Sequence, residues 1–253
     1  MVPFAAIGFV LYPIFSYYVN GEVVPFFLYE LPFFDENSIT GYIILMLFQG
    51  NLLALGVVGA VLAICIFFIF SMYALAISGI FIVHMRELNN MLYDQVSVGI
   101  KTDEISLKWK QCMHDHELST RLINCLDDMF GLMCLVQVMM GIFSICDVML
   151  LVALTDWYPT YFFLLTLFSE LSINFIIGHI VELKIDEMYE TITSTAWYRL
   201  PVVNQKEFRF MLSRQQRPMV LTAYGFYPMN FEAYMSVLRG LYQFFVMIMQ
   251  YVG

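Results

Sequence analysis

Charged residues are scarce in this sequence of 253 residues, since Asp, Glu, Lys and Arg make up only 13% of it while 60% of its residues are hydrophobic. Between positions 37 and 83 there is no charged residue at all. Soluble globular domains carry about 25% charged residues, which excludes an ordinary water-soluble protein. About 20 apolar residues suffice to cross the hydrocarbon core of a bilayer, so the 37–83 segment predicts a membrane-spanning helix that projects beyond the lipid.

Cysteines and recognisable catalytic motifs are few as well. The five cysteines lie in predicted membrane or cytosolic segments, which excludes a disulfide framework between outer loops. The sequence lacks a glycine-rich phosphate loop, a nucleophile elbow and a paired zinc motif. The run Cys112, His114, Asp115, His116 contains metal-ligating residue types, but the two histidines would point to different sides of a helix. We therefore predict no metal, no cofactor, no enzymatic activity and no nucleic-acid partner.

Lysine and arginine are absent from two of the loops between the apolar segments, 20–40 and 155–159. Eleven of the twelve basic residues lie in two hydrophilic blocks, 84–128 and 182–228. Cytoplasmic loops of membrane proteins are enriched in Lys and Arg, so both blocks are predicted to be cytosolic. The two loops without basic residues are predicted to face the outside.

Five apolar segments alternate with these loops and predict an all-α, polytopic transmembrane helical bundle. With both basic blocks inside, the chain starts in the cytosol, crosses the membrane five times and ends outside the cell. Helical extensions of the second and third spans are expected to pack with residues 205–214 as a cytosolic base. The predicted organisation is transmembrane helices over 1–83, cytosolic extensions over 84–128, transmembrane helices over 129–181, a cytosolic anchor over 182–228 and a last helix over 229–253. The spans themselves are 2–19, 41–83, 129–153, 160–181 and 231–252.

The last span carries polar residues at helical spacing. Glu232, Ser236, Arg239, Gln243 and Gln250 recur at steps of four, three, four and seven residues, which predicts one polar stripe on an apolar helix. In lipid such a stripe faces either protein or water. Burial within one subunit and exposure to a wet path are both open on this evidence.

Bulky side chains accompany the stripe at its outer end. Met247 interrupts the polar series and Tyr251 follows Gln250, so a hydrophobic constriction there could gate by dewetting. One helix cannot enclose a pore, and conduction would therefore require several subunits around an axis.

The C-terminal part of the chain carries a series of recognisable motifs. They are Trp197-Tyr198-Arg199-Leu200-Pro201, Gln216-Arg217-Pro218, Leu221-Thr222-Ala223-Tyr224-Gly225, Phe226-Tyr227-Pro228-Met229-Asn230 and Tyr242-Gln243-Phe244-Phe245. This series closely resembles the C-terminal signature of insect odorant receptors, with Trp197, Tyr198, Pro201, Pro218 and Pro228 as its markers in the anchor.

The resemblance implies seven helices, a cytosolic N-terminus and an extracellular C-terminus. The five spans would be helices three to seven, so the chain is expected to be a fragment or a truncated product without the first two. Members of the family are similar to ligand-gated, non-selective cation channels that assemble as tetramers with an odorant co-receptor. The implied location is the plasma membrane of a sensory neuron dendrite.

The resemblance also implies site residues. Gln243, Met247, Gln250 and Tyr251 would line the pore and gate. A pocket for a small volatile odorant would lie in the outer half of the bundle. Its candidate residues, chosen as outer-half positions on these spans, are Ile7, Leu11, Tyr42, Met46, Gln49, Tyr161, Phe162 and Leu165.

Three other classes of membrane protein were compared with the odorant receptor hypothesis. A gustatory receptor of the same superfamily would share the mechanism, although the C-terminal motifs fit the olfactory members better. A G-protein-coupled receptor would have a cytosolic C-terminus, which the distribution of basic residues contradicts. A secondary transporter would show repeated halves with broken helices, which the sequence lacks.

Overall fold

A computed structural model describes residues 39–98, 102–154, 159–217 and 219–252. The predicted first span, 2–19, most of the loop 20–40 and most of the loop 155–159 lie outside these ranges. In the ranges that are described, the chain is helical apart from one short hairpin and its connections.

Three long helices make up most of the described chain: α1, Ile39–Val98; α2, Thr102–Leu154; and α3, Pro159–Ser194. All three are long and apolar enough to cross a membrane. A helix of 60 residues, the length of α1, extends for about 90 Å, three times the thickness of the hydrocarbon core. The predicted continuation of α1 past residue 83 is confirmed, because the helix extends to Val98.

The third predicted span is also continuous with the hydrophilic residues before it. Residues 102–128 and the apolar segment 129–153 form the single helix α2. The fourth predicted span, 160–181, is the first part of α3, which continues to Ser194. Charged sequence thus prolongs each helix at one end of its apolar part.

The C-terminal segment forms shorter elements. A 3₁₀ turn at Trp197–Arg199 precedes α4, Val202–Gln215, and Pro201 stands at the N-cap of α4. The antiparallel strands β1, Thr222–Ala223, and β2, Tyr227–Pro228, then lead into α5, Phe231–Val252. The bounds of α5 are those predicted for the last span. Because α5 is not among the three helices that are apolar enough to span, its crossing of the membrane stays a prediction.

The β-hairpin departs from the purely helical fold that the sequence predicted. Thr222 pairs with Pro228 and Ala223 pairs with Tyr227. The connection has positive φ at Tyr224 (55°) and Gly225 (75°), and the Phe226 amide donates to the Ala223 carbonyl at 3.1 Å. These are the features of a type I′ turn, whose twist matches that of paired strands.

The chain divides into two compact units, which the long helices traverse. Among the described residues, the first unit comprises 39–66, 139–154, 159–172 and 238–252, and the second comprises 67–98, 102–138, 173–217 and 219–237. In the first unit, α1 leaves many large apolar side chains exposed, among them Leu55 and Leu62. Exposed apolar side chains in such number suit a lipid environment.

The second unit contains a fully buried group of side chains, here called the basal cluster. It brings α1, α2, α3 and α4 together, so the predicted packing of the helical extensions with residues 205–214 is confirmed. Its members recur every three or four residues on α1, as expected for one buried helix face. The basal cluster consists of Phe81, Ile82, Met85, Leu88, Leu92, Ile105, Trp109, Cys112, Met188, Ile192, Leu200, Phe208 and Met211.

Candidate functional site

The polar stripe of the last helix is exposed along its whole length. Leu241 and Ile248 are buried on the opposite side of α5. The helix is therefore amphipathic, and packing within this chain covers its apolar side. The exposed stripe consists of Glu232, Ser236, Arg239, Gln243 and Gln250.

The four predicted pore and gate residues are all exposed on α5. Met247 lies on the same side as Gln243 and Gln250, since the three are spaced by four and three residues. Tyr251 is 90% exposed, but it follows Gln250 directly and is turned about 100° from it around the helix. Tyr251 thus lies off the stripe, near the end of the helix.

The start of α5 is held against α3 within the second unit. The Asn230 carboxamide oxygen accepts from the Ala233 amide at 2.9 Å, which caps the helix, and Asn230 Nδ2 donates to Glu182 Oε1 at 3.4 Å. The backbone of Met229 lies directly against Gly178. The sequence did not lead us to predict the capping role of Asn230 or the contact at Gly178, although an Asn just before an apolar helix is a recognised capping signal.

The predicted odorant-pocket residues fall into different environments. Ile7, Leu11 and the side chain of Tyr42 lie outside the described part of the chain. On α1, Met46 is half-buried and Gln49 is fully buried. On α3 three candidates are exposed, so a pocket that included them would need further walls to enclose a ligand. Those three are Tyr161, Phe162 and Leu165.

The anchor motif packs onto the basal cluster. The Trp197 ring stacks on Phe208, with centroids 6.0 Å apart, and Tyr198 beside it is exposed. Arg199 donates to the Leu92 carbonyl at 3.2 Å. Of the other predicted markers, Pro218 lies outside the described residues.

A charged hydrogen bond adds to this packing. Trp109 is fully buried and its indole Nε1 donates to Glu207 Oε2 on α4 at 2.6 Å. A buried indole N–H needs such a partner, since leaving it unsatisfied would cost free energy. The bond therefore fixes α4 against α2.

The run Cys112 to His116 takes part in packing and hydrogen bonding. Gln215 donates to the Ile185 carbonyl at 3.1 Å, so its Oε1 accepts from His116 Nε2 at 3.0 Å. Burial lowers the pKa of His116, and the positive charge of Arg214 contributes to the lowering. Burial raises the pKa of Cys112 to about 12. Asp115 pairs with His84 at 2.6 Å.

Comparison with known proteins agrees with the resemblance seen in the motifs. The family described as 7tm Odorant receptor matches residues 2–242 of this chain. Odorant receptor 30a of Drosophila melanogaster is 33% identical over 57 residues, which are 22% of this chain and 15% of that protein. Putative odorant receptor 83c of the same species is 30% identical over 88 residues, 35% of this chain and 22% of that protein.

The aligned segments thus cover less than a quarter of either curated relative. The family match, in contrast, extends over nearly the whole chain. Together with the three apolar helices, it shows that this is a multi-pass membrane protein with a helical transmembrane fold. The chain belongs to the 7tm odorant receptor family.

Proposed function

We propose that this chain is a subunit of an odorant receptor that works as a ligand-gated, non-selective cation channel together with an odorant co-receptor. It resides in the plasma membrane, in the dendrite of a sensory neuron, with its C-terminus outside the cell. Family membership supports the receptor role, and the exposed stripe of α5 is the observation that supports the channel role.

The stripe supports a pore because polar groups in lipid must face protein or water. The apolar side of α5, with Leu241 and Ile248, packs within this chain and leaves Gln243, Met247 and Gln250 on the exposed side. Several copies of such a helix around an axis would enclose a polar path. A tetramer with the co-receptor, as the family resemblance implies, supplies those copies.

Ligand binding would be governed by apolar burial. The candidate pocket residues are mostly aromatic or aliphatic, and burying apolar surface contributes roughly 25 cal/mol per Å² with little directional demand. A small volatile molecule that repacks the outer part of the helices would shift α5. The shift would then move Met247 and Tyr251 away from their counterparts in the neighbouring subunits and widen the constriction.

Cysteine substitution along α5 tests the pore. Gln243→Cys and Gln250→Cys are each expressed with the co-receptor, and odorant-evoked currents are recorded before and after a charged methanethiosulfonate reagent is applied from outside. Modification at either position is expected to block most of the current. The matched control is Met249→Cys, which is exposed on α5 but is turned about 100° from Gln250. Equal sensitivity at 249, or none at 243 and 250, would remove the stripe from the pore.

A further inference from the structure

Two aromatic side chains are displayed at the tip of the β-hairpin. Tyr224 is 60% and Phe226 is 77% exposed, and their rings stack with centroids 6.3 Å apart. Tyr224 adopts the left-handed conformation that a bulky residue rarely takes. Surrounding contacts must therefore hold the tip in this conformation.

Those contacts come from α2. The Asp127 carboxylate accepts from the Thr222 amide at 2.6 Å and from its hydroxyl at 2.9 Å. The Thr222 hydroxyl in turn accepts from the Gly225 amide at 2.8 Å. A Cβ on Gly131 would lie 3.2 Å from the Tyr224 nitrogen, so the turn rests against the helix backbone there. The hairpin is fixed on one site of α2.

This site coincides with the predicted edge of the membrane. Gly131 is the third residue of the apolar segment 129–153, and this segment begins directly after the acidic pair Asp127 and Asp128. The large apolar side chains of Met129 and Leu132, beside it on α2, are exposed as if to lipid. The turn therefore lies at the level of the first membrane turn of α2.

A second helix gives the same depth independently. Met229, at the other end of the hairpin, lies against Gly178 of α3, three residues before the end of the apolar segment 160–181. By the charge distribution, α2 enters the membrane where α3 leaves it. Both contacts thus place the hairpin at the same boundary, the one that adjoins the basic blocks.

We propose that Tyr224 and Phe226 insert into the lipid interface at this boundary and anchor the segment that leads into α5. The two side chains would contact lipid molecules in the zone between the headgroups and the acyl chains. Tyr suits that zone because its ring is apolar and its hydroxyl is polar, and Phe extends further into the acyl region. The cytosolic side of the membrane is taken from the topology of the proposed function, while the depth rests on the two glycine contacts and on the predicted ends of the apolar segments 129–153 and 160–181.

Site-specific photocross-linking tests the proposal. A benzophenone amino acid replaces Phe226 in the full chain, which is reconstituted in phosphatidylcholine and phosphatidylserine vesicles and irradiated, and mass spectrometry identifies adducts. The matched control carries the same group in place of Phe210, which is 74% exposed on α4 within the predicted cytosolic anchor. Thermal unfolding of both variants establishes that each is folded.

Phospholipid adducts at position 226, at least tenfold more abundant than at position 210, are expected. Adducts only to a second polypeptide at 226 would assign the aromatic pair to a subunit interface and overturn the proposal. Equal lipid yields at the two positions would overturn it as well. The readout needs neither odorant nor co-receptor, so it is separate from any test of conduction.

Discussion

Gly178 and Met229 are packed backbone to backbone. A Cβ atom on Gly178 would lie 2.6 Å from the Met229 Cβ and closer still to its carbonyl oxygen, a separation that real side chains do not adopt. Because Met229 precedes the capping residue of α5, this contact sets where α5 begins relative to α3. Only glycine at position 178 permits it.

Gly178→Ala is therefore expected to displace Met229 and destabilise the protein. Overpacking of this kind costs about 1–3 kcal/mol. Thermal unfolding in detergent measures the effect. The matched control is Gly79→Ala on α1, where a Cβ would lie 3.8 Å from the Lys184 side chain and meet only ordinary contact. If both variants unfold at the same temperature as the unmodified chain, the close approach is not present.

Asn230→Ala is expected to lower the free energy of unfolding by about 0.5–2 kcal/mol, because it removes the side-chain acceptor for the Ala233 amide. Asn230→Ser keeps an acceptor at the N-cap and should retain most of the stability. Chemical denaturation of the two variants in detergent compares them. A serine variant as unstable as the alanine variant would show that the loss arises elsewhere.

The buried His116 predicts a pH-dependent stability. Its pKa is lowered in the folded protein, whereas in the unfolded chain a histidine titrates near pH 6.5. Between these two pKa values the unfolded state binds more protons than the folded state. The contribution of His116 to the free energy of unfolding is therefore complete above about pH 6.5 and is lost as the pH falls below that value. The slope is at most about 1.4 kcal/mol per pH unit for one proton.

Melting temperatures between pH 7.5 and 5.5 measure this dependence. The unmodified chain and the exposed-site control His114→Gln should lose more stability on acidification than His116→Gln, which cannot titrate at that position. Parallel curves for all three proteins would exclude His116 as the source.

Cysteine reactivity should differ sharply between two positions on α2. Cys112 is buried in the basal cluster with its pKa raised to about 12, whereas Cys125 is exposed. The thiolate is the reactive form, so a maleimide should label Cys125 and leave Cys112 unmodified until the protein is unfolded. Single-cysteine variants and mass spectrometry give the rates. Rapid labelling of Cys112 in the folded chain would contradict the packing of the basal cluster.

Features that lie within one helix could be predicted from the sequence. The bounds of α5 followed from an apolar stretch after Pro228, and the stripe through Gln243 and Gln250 required only helical spacing. The continuation of α1 past residue 83 followed from the absence of a stop signal. Each of these features depends on neighbours in sequence.

Contacts between segments that are distant in the sequence could not be predicted from it. The residues around Gly178 in the sequence do not predict its contact with Met229, because the two residues come together only when α3 packs against the segment before α5. The hairpin was missed because its strands have two residues each and Tyr224-Gly225 is a much weaker turn signal than Asn-Gly. A ligand pocket also depends on contacts between distant segments, so the outer-half positions Tyr161, Phe162 and Leu165 remain predicted pocket residues.

The orientation of the last helix can be measured directly. An epitope fused after Gly253 and a second epitope inserted between α1 and α2 are detected by antibody on intact and on permeabilised cells. If the basic blocks are cytosolic, the C-terminal epitope is labelled on intact cells and the internal epitope only after permeabilisation. A C-terminal epitope that becomes visible only in permeabilised cells would contradict the topology and, with it, the assignment of α5 to a pore.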